Sequence, residues 1–148
     1  MSNQWQDTGT HIAIAVHSIQ VAKIFYKENL GLTWVKEEIV QEQGVKVAFF
    51  KAGGIQVELL EPLNQNTTVA KFLRKHGEGI HHLALGTPDI QKVILNMTDK
   101  GVSFVSNVVS NGADDTKIAF IPPTESHGVL LEVCEKQTFK RETEENLL

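Results

Sequence analysis

Hydrophobic and polar positions run through the same order twice along this chain. Residues 11–16 form a short apolar run of β type, apolar enough for burial on both faces. Val21, Ile24 and Phe25 then recur at helical spacing, which predicts a helix over 19–28 with Ser18 as its N-cap and Gly31 as a stop signal. Residues 32–40, 45–51 and 55–60 read as three strands, separated by Gly44 and by the Gly53-Gly54 pair. The second half repeats the series. A strand is predicted over 82–85, and a helix opens at Pro88-Asp89 and runs to about Lys100 before Gly101. Three more strands follow over 102–109, 116–121 and 128–134, with turn signals at Asn111-Gly112 and Pro122-Pro123. Between the halves, residues 68–75 predict a short amphipathic helix with Val69, Phe72 and Leu73 on one face. The expected fold is therefore α+β: one βαβββ module over 10–63, a linker with a short helix over 64–79, and a second βαβββ module over 80–135. The charged tail, 136–148, shows little periodicity and reads as frayed.

The repeat also reaches particular residues. His11-Ile-Ala-Ile-Ala returns as His82-Leu-Ala-Leu-Gly at an offset of 71, and Lys46-Val-Ala-Phe-Phe returns as Lys117-Ile-Ala-Phe-Ile at the same offset. Val57-Glu58-Leu59 returns as Leu131-Glu132-Val133 at an offset of 74, so three extra residues lie between the second and third matches. Each module thus opens on a histidine and closes on a strand carrying a glutamate. Side chains alternate along a strand, so one inward position on each of four strands can converge on a point. A glutamate within Val129-Leu-Leu-Glu-Val133 needs a reason, because a buried carboxylate without a partner is costly and ligation to a cation offsets that cost. His11, Glu58, His82 and Glu132 are accordingly the candidate metal ligands. Two imidazoles and two carboxylates suit one divalent ion such as zinc, cobalt, nickel or manganese. The alignment pairs His81 with Thr10, which turns it to the other face, behind the ligands or in packing. His17, His76 and His127 fall in loops or at helix ends and read as solvated surface.

Composition narrows the classes. A net charge of −4 gives no basic footprint for nucleic acid, and no apolar run approaches the length of a membrane span. The polar N-terminus has no signal-peptide core, and the single cysteine, Cys134, excludes an intrachain disulfide; both fit a cytoplasmic protein.

The segments Glu42-Gln-Gly-Val45, Glu58-Leu-Leu-Glu-Pro-Leu63, Val69-Ala-Lys-Phe-Leu73, Gly77-Glu-Gly-Ile-His-His-Leu-Ala84 and Gly128-Val-Leu-Leu-Glu132 resemble the vicinal oxygen chelate superfamily of glyoxalases and bleomycin-resistance proteins. Within it they are most similar to methylmalonyl-CoA epimerases, over about residues 10 to 135. The resemblance implies an open β-cup of paired modules around one metal ion, often as a homodimer, with an acyl-CoA thioester as small-molecule substrate. It implies His11, Glu58, His82 and Glu132 as the ligands; the α-proton transfer that such a site fits assigns Glu132 as ligand and base, Glu58 as ligand and second acid or base, and Gln43 to contact with substrate. The chain departs from the epimerase pattern in three places, and at a fourth, the ligand at 58, epimerases themselves vary. Pro122-Pro-Thr-Glu125 replaces a common His-Pro-Lys-Ser stretch, Thr10 replaces an aspartate, Val47 stands where some epimerases carry a glutamate base, and the ligand at 58 is sometimes glutamine. A glyoxalase I-type lyase acting on a thiol hemithioacetal is the nearest alternative, and a ligand-sequestering protein without catalysis a more distant one.

Overall fold

The computed structural model describes residues 3–137; the charged tail from 138 onward lies outside the described residues. Element order is β1 (Gln6–Ala15), α1 (Ile19–Lys23), β2 (Thr33–Val40), β3 (Val45–Ala52), β4 (Ile55–Pro62), α2 (Thr68–His76), β5 (Gly79–Gly86), α3 (Ile90–Asp99), β6 (Ser110–Gly112), β7 (Thr116–Ile121) and β8 (Leu131–Lys136). The βαβββ order therefore occurs twice, with α2 between the copies. The strands form one sheet in the order β2-β3-β4-β1-β5-β8-β7-β6. Two compact units are defined, residues 11–83 and the remainder, so that each takes part of β1 and part of β5. No described helix is long and apolar enough to cross a membrane.

In the unit over 11–83, β1 pairs with β4 in parallel, while β2, β3 and β4 form antiparallel hairpins. One face of this layer packs Val16, Ala48, Phe50, Val57 and Leu59 against Ile19 of α1. The Ser18 hydroxyl caps α1 by accepting from the Val21 N–H at 3.2 Å, as its place in the sequence predicts. The helix does not stay α to its end. Residues Ile24–Asn29 widen into a π turn, closed by the Leu30 N–H on the Phe25 carbonyl at 2.7 Å.

In the other unit, Ile90 and Val93 of α3 pack on Ala119, Ile121 and Val133. Asp89 caps α3 through the Lys92 N–H at 3.1 Å. The early part of β1 is fastened by Thr10, whose hydroxyl accepts from the Gly86 N–H (2.9 Å) and donates to the Gln6 carbonyl (2.7 Å). This occupies the threonine that replaces an aspartate in the sequence. The strands run so close here that a Cβ on Gly86 would lie 1.9 Å from the Thr8 carbonyl oxygen.

Two expectations are corrected in this unit. The strand predicted over 102–109 does not form. Its alternation breaks where Phe104 and Val105 stand side by side, and side chains take the amides a ladder would use. Glu125 Oε1 accepts from the Ser103 N–H at 2.9 Å and Ser106 Oγ from the Val108 N–H at 3.2 Å. Val105 keeps one backbone bond to Phe120, and Val105 and Val108 are exposed. The turn signal at Asn111-Gly112 is also displaced. Both residues lie in β6, and the chain reverses at Ala113–Asp115, where Asp114 and Asp115 hold φ of 57° and 56°. Gly112 is small for another reason: a Cβ there would meet Ile118 Cγ2 at 2.8 Å across the hairpin.

One device occurs in both units. Three residues beyond Glu58, Glu61 Oε1 accepts from the first helical amide of α1, at Ile19, at 3.0 Å. Three residues beyond Glu132, Glu135 Oε1 accepts from the first helical amide of α3, at Ile90, at 3.1 Å. Each glutamate-bearing strand is thereby tied to the helix start of its own module. Glu61→Ala and Glu135→Ala are each expected to lower the unfolding free energy by about 1–3 kcal/mol. The glutamine variants, which keep an acceptor, should lose clearly less. Urea denaturation reads both, and equal losses for alanine and glutamine would show that the amide bond is not what the carboxylate contributes.

Candidate metal centre

Strand parity sets which side chains turn inward. On β1, His11, Ala13 and Ala15 are buried while Ile12 and Ile14 are half-buried. On β5, His82 and Ala84 are buried while His81 and Leu83 are half-buried. Glu58 on β4 is 4% exposed and Glu132 on β8 is 5% exposed, each beside buried apolar neighbours on its strand. Among the described residues, the buried charged and imidazole side chains are His11, Glu58, His82 and Glu132. These are the four residues the repeat singles out. The sheet register supports their equivalence, since Glu58 stands opposite Phe49 of β3 and Glu132 opposite Phe120 of β7.

Three of the four lie within residues 11–83, where their geometry is explicit. Parallel pairing sets His11 beside Gln56 and Ala13 beside Glu58. The Glu58 carboxylate returns to His11, its Oε2 lying 3.0 Å from His11 Nδ1. The Gln56 side-chain amide donates to the same oxygen at 2.9 Å. The His11 and His82 rings meet edge to face with centroids 5.5 Å apart. Two imidazoles and a carboxylate brought together away from water are a donor set that fits a divalent ion of borderline softness. The two contacts on Glu58 Oε2 supply part of what a buried carboxylate loses on leaving water.

Behind this group stands His81. Its Nδ1 lies 2.9 Å from His82 Nδ1, a hydrogen bond whose direction depends on which ring carries the proton. Its ring also meets Phe72 of α2 edge-on at 5.0 Å. The expected place behind the ligand candidate is thus where it sits. His17, His76 and His127 are exposed, as the sequence predicts. Gln43 is half-buried and ends the 3-10 turn Gln41–Gln43, next to Gly44 at a φ of 67°.

Sequence reasoning missed Gln56, Glu61, Glu135 and Glu125. The two capping glutamates were within reach, because Glu58-x-x-Glu61 recurs as Glu132-x-x-Glu135. Gln56 has no such signal, since its counterpart, Leu130, is apolar. Glu125, in the stretch that departs from the epimerase pattern, acts on the Ser103 amide and so holds the 102–109 segment.

A family model described as the Glyoxalase/Bleomycin resistance protein/Dioxygenase superfamily matches residues 10–120. The chain belongs to this superfamily. Its paired βαβββ order and eight-stranded sheet agree with that membership. An uncharacterized protein of Bacillus subtilis, YqjC, is 44% identical over 125 residues, covering 84% of this chain and 89% of its own. The human mitochondrial methylmalonyl-CoA epimerase is 33% identical over 124 residues, covering 83% of this chain and 70% of its own. The Streptomyces coelicolor methylmalonyl-CoA epimerase, solved with 2-nitronate-propionyl-CoA, superposes with a TM-score of 0.82 at 34% identity, covering 87% of this chain and 96% of that one.

Gln56→Leu keeps the volume but leaves the buried Glu58 carboxylate one donor short. It is expected to lower the unfolding free energy by about 1–3 kcal/mol. An unchanged urea midpoint would show that Glu58 does not depend on this amide.

Proposed function

We propose that this member of the superfamily is a metal-dependent epimerase of an acyl-CoA thioester, with methylmalonyl-CoA as substrate. The observation that carries the reading is the buried His11–Glu58–His82 group, found in a chain whose relatives include epimerases of that substrate. His11, Glu58, His82 and Glu132 are proposed as the ligands. In support, His11, His82 and Glu132 are buried residues whose donor atoms could serve one ion. Glu58 joins them by turning its carboxylate from His11 Nδ1 and Gln56.

A divalent ion bound there supplies Lewis acidity, which lowers the cost of negative charge on the substrate's oxygens as the α-proton leaves. The carbon to be inverted lies between a thioester and a carboxylate, so its proton is already weakly acidic. Glu132 removes that proton. Glu58, on the equivalent strand of the other module, would have to be protonated when substrate binds, and would then return its proton from the opposite face. A carboxylate held by a cation would be a weakened base, so with an ion bound the one that accepts the proton would have to loosen from it. Gln43, at the turn before β3, contacts the substrate.

A second reading is a glyoxalase I-type lyase, which also moves a proton between neighbouring carbons of a thiol adduct. Val47 favours it. This residue, 1% exposed, stands where some epimerases carry a glutamate base, and position 58 holds a carboxylate where epimerases sometimes carry a neutral glutamine.

The two readings separate in deuterium oxide. Metal-loaded protein incubated with methylmalonyl-CoA should place deuterium at the α-carbon, and Glu132→Gln should reduce that uptake at least about 100-fold, the scale on which a positioned base contributes. Uptake no faster than background, from protein that demonstrably holds metal, would reject this substrate and favour the lyase. Uptake retained in Glu132→Gln would remove Glu132 as the base.

A further inference from the structure

We infer that His81 is a positioning residue that fixes the tautomer and ring orientation of His82, and that it is itself held by Phe72 of the helix joining the two modules. The inference rests on the metal reading proposed above and extends it beyond the four ligands.

The geometry points to it in three steps. His81 and His82 are neighbours on β5, with His82 buried and His81 half-buried. Their Nδ1 atoms are 2.9 Å apart, so one ring must donate and the other accept. A nitrogen engaged in this way faces its partner, which makes Nε2 the nitrogen of His82 that faces away from His81. A neutral imidazole that coordinates through Nε2 carries its proton on Nδ1. His82 is therefore the donor and His81 the acceptor, with the His81 proton on its own Nε2.

The acceptor is placed by packing. The His81 ring meets Phe72 edge-on at 5.0 Å, and Phe72 also packs on His76, with centroids 4.9 Å apart. Phe72 lies on α2, whose Val69, Ala70 and Leu73 are buried and whose N-cap Thr67 accepts from the Ala70 N–H at 3.1 Å. The helix is thus docked independently of the ligands, and Phe72 presents a fixed surface to His81. An amphipathic helix between two modules thereby acquires a role at the metal: it sets, through one ring, the direction in which His82 offers its lone pair. A ligand's second nitrogen commonly finds a carboxylate, a carbonyl or a water. Here the neighbouring histidine takes that place.

Two measurements test this, and the first needs no metal. Long-range 1H–15N correlation on the metal-free full-length protein should find His82 as the Nδ1–H tautomer and His81 as the Nε2–H tautomer. The opposite assignment would overturn the inference. The second measurement compares Co2+ affinity by competition titration in wild type, His81→Phe and His81→Asn. Phenylalanine keeps a ring against Phe72 but removes the nitrogen, whereas asparagine offers its Oδ1 near the lost Nδ1. His81→Phe should bind Co2+ about 10- to 100-fold more weakly, the usual effect of losing a partner behind a ligand. His81→Asn should recover most of that loss, and its His82 should keep the Nδ1–H tautomer. Affinity in His81→Phe within twofold of wild type would overturn the inference while leaving the metal reading standing. Wild-type protein that takes up no Co2+ would overturn the metal reading first, and this one with it. If His81→Phe does not fold, the wild-type tautomers and the asparagine variant still decide the matter.

Discussion

A carboxylate carried from water into the interior of a sheet loses solvation that only opposite charge or several hydrogen bonds can offset. Glu58 and Glu132 are both in that position, each flanked by buried apolar residues of its strand, Val57 and Leu59 in one and Val133 in the other. Much of the surrounding structure follows from keeping them there. Gln56 and His11 both address Glu58 Oε2. Three residues further on, Glu61 and Glu135 tie the same strands to the amides that begin α1 and α3. The glutamate-bearing strand and the helix start are thus tied together in each module.

Position and identity were legible to different degrees along the chain. The two histidines and two glutamates could be read directly, because a fold duplicated in sequence duplicates its inward positions, and period-two alternation says which residues those are. Helix starts were legible through Ser18 and Asp89, whose short side chains reach the amide three residues beyond them. The segment 102–109 was misread because apolar content was taken as strand. Hydrogen bonds from Glu125 and Ser106 hold it in another form, and they depend on residues distant in sequence or on a local turn that periodicity does not register. Gly112 was read as a turn residue, although its smallness serves close approach to Ile118. A glycine in sequence does not say whether conformation or space requires it. The contact of Gln56 with Glu58 was invisible for a further reason: it joins residues i and i+2 on one face, and half of that pattern is missing from the second module.

Kinship and chemistry pull in slightly different directions. The chain is about one-third identical to epimerases over most of its length, and its fold follows theirs closely. Fold, however, does not assign a reaction; the site does. The metal-ligand candidates here are all ionisable, and position 47 offers no proton-transferring group. In the proposed mechanism the proton is therefore handled by the carboxylates proposed to hold the cation. On that reading, catalysis depends on how readily Glu58 or Glu132 would leave the ion, which for Glu58 is set by the Gln56 and His11 contacts on its Oε2.

The claim on which the account turns is that the duplicated histidines and glutamates converge on one ion. Anomalous diffraction from crystals grown with Co2+, recorded on both sides of the cobalt edge, addresses it directly. The account predicts a single strong peak with His11, Glu58, His82 and Glu132 as its protein ligands. A cobalt ion held elsewhere, or one that leaves Glu132 out of its coordination, would contradict it.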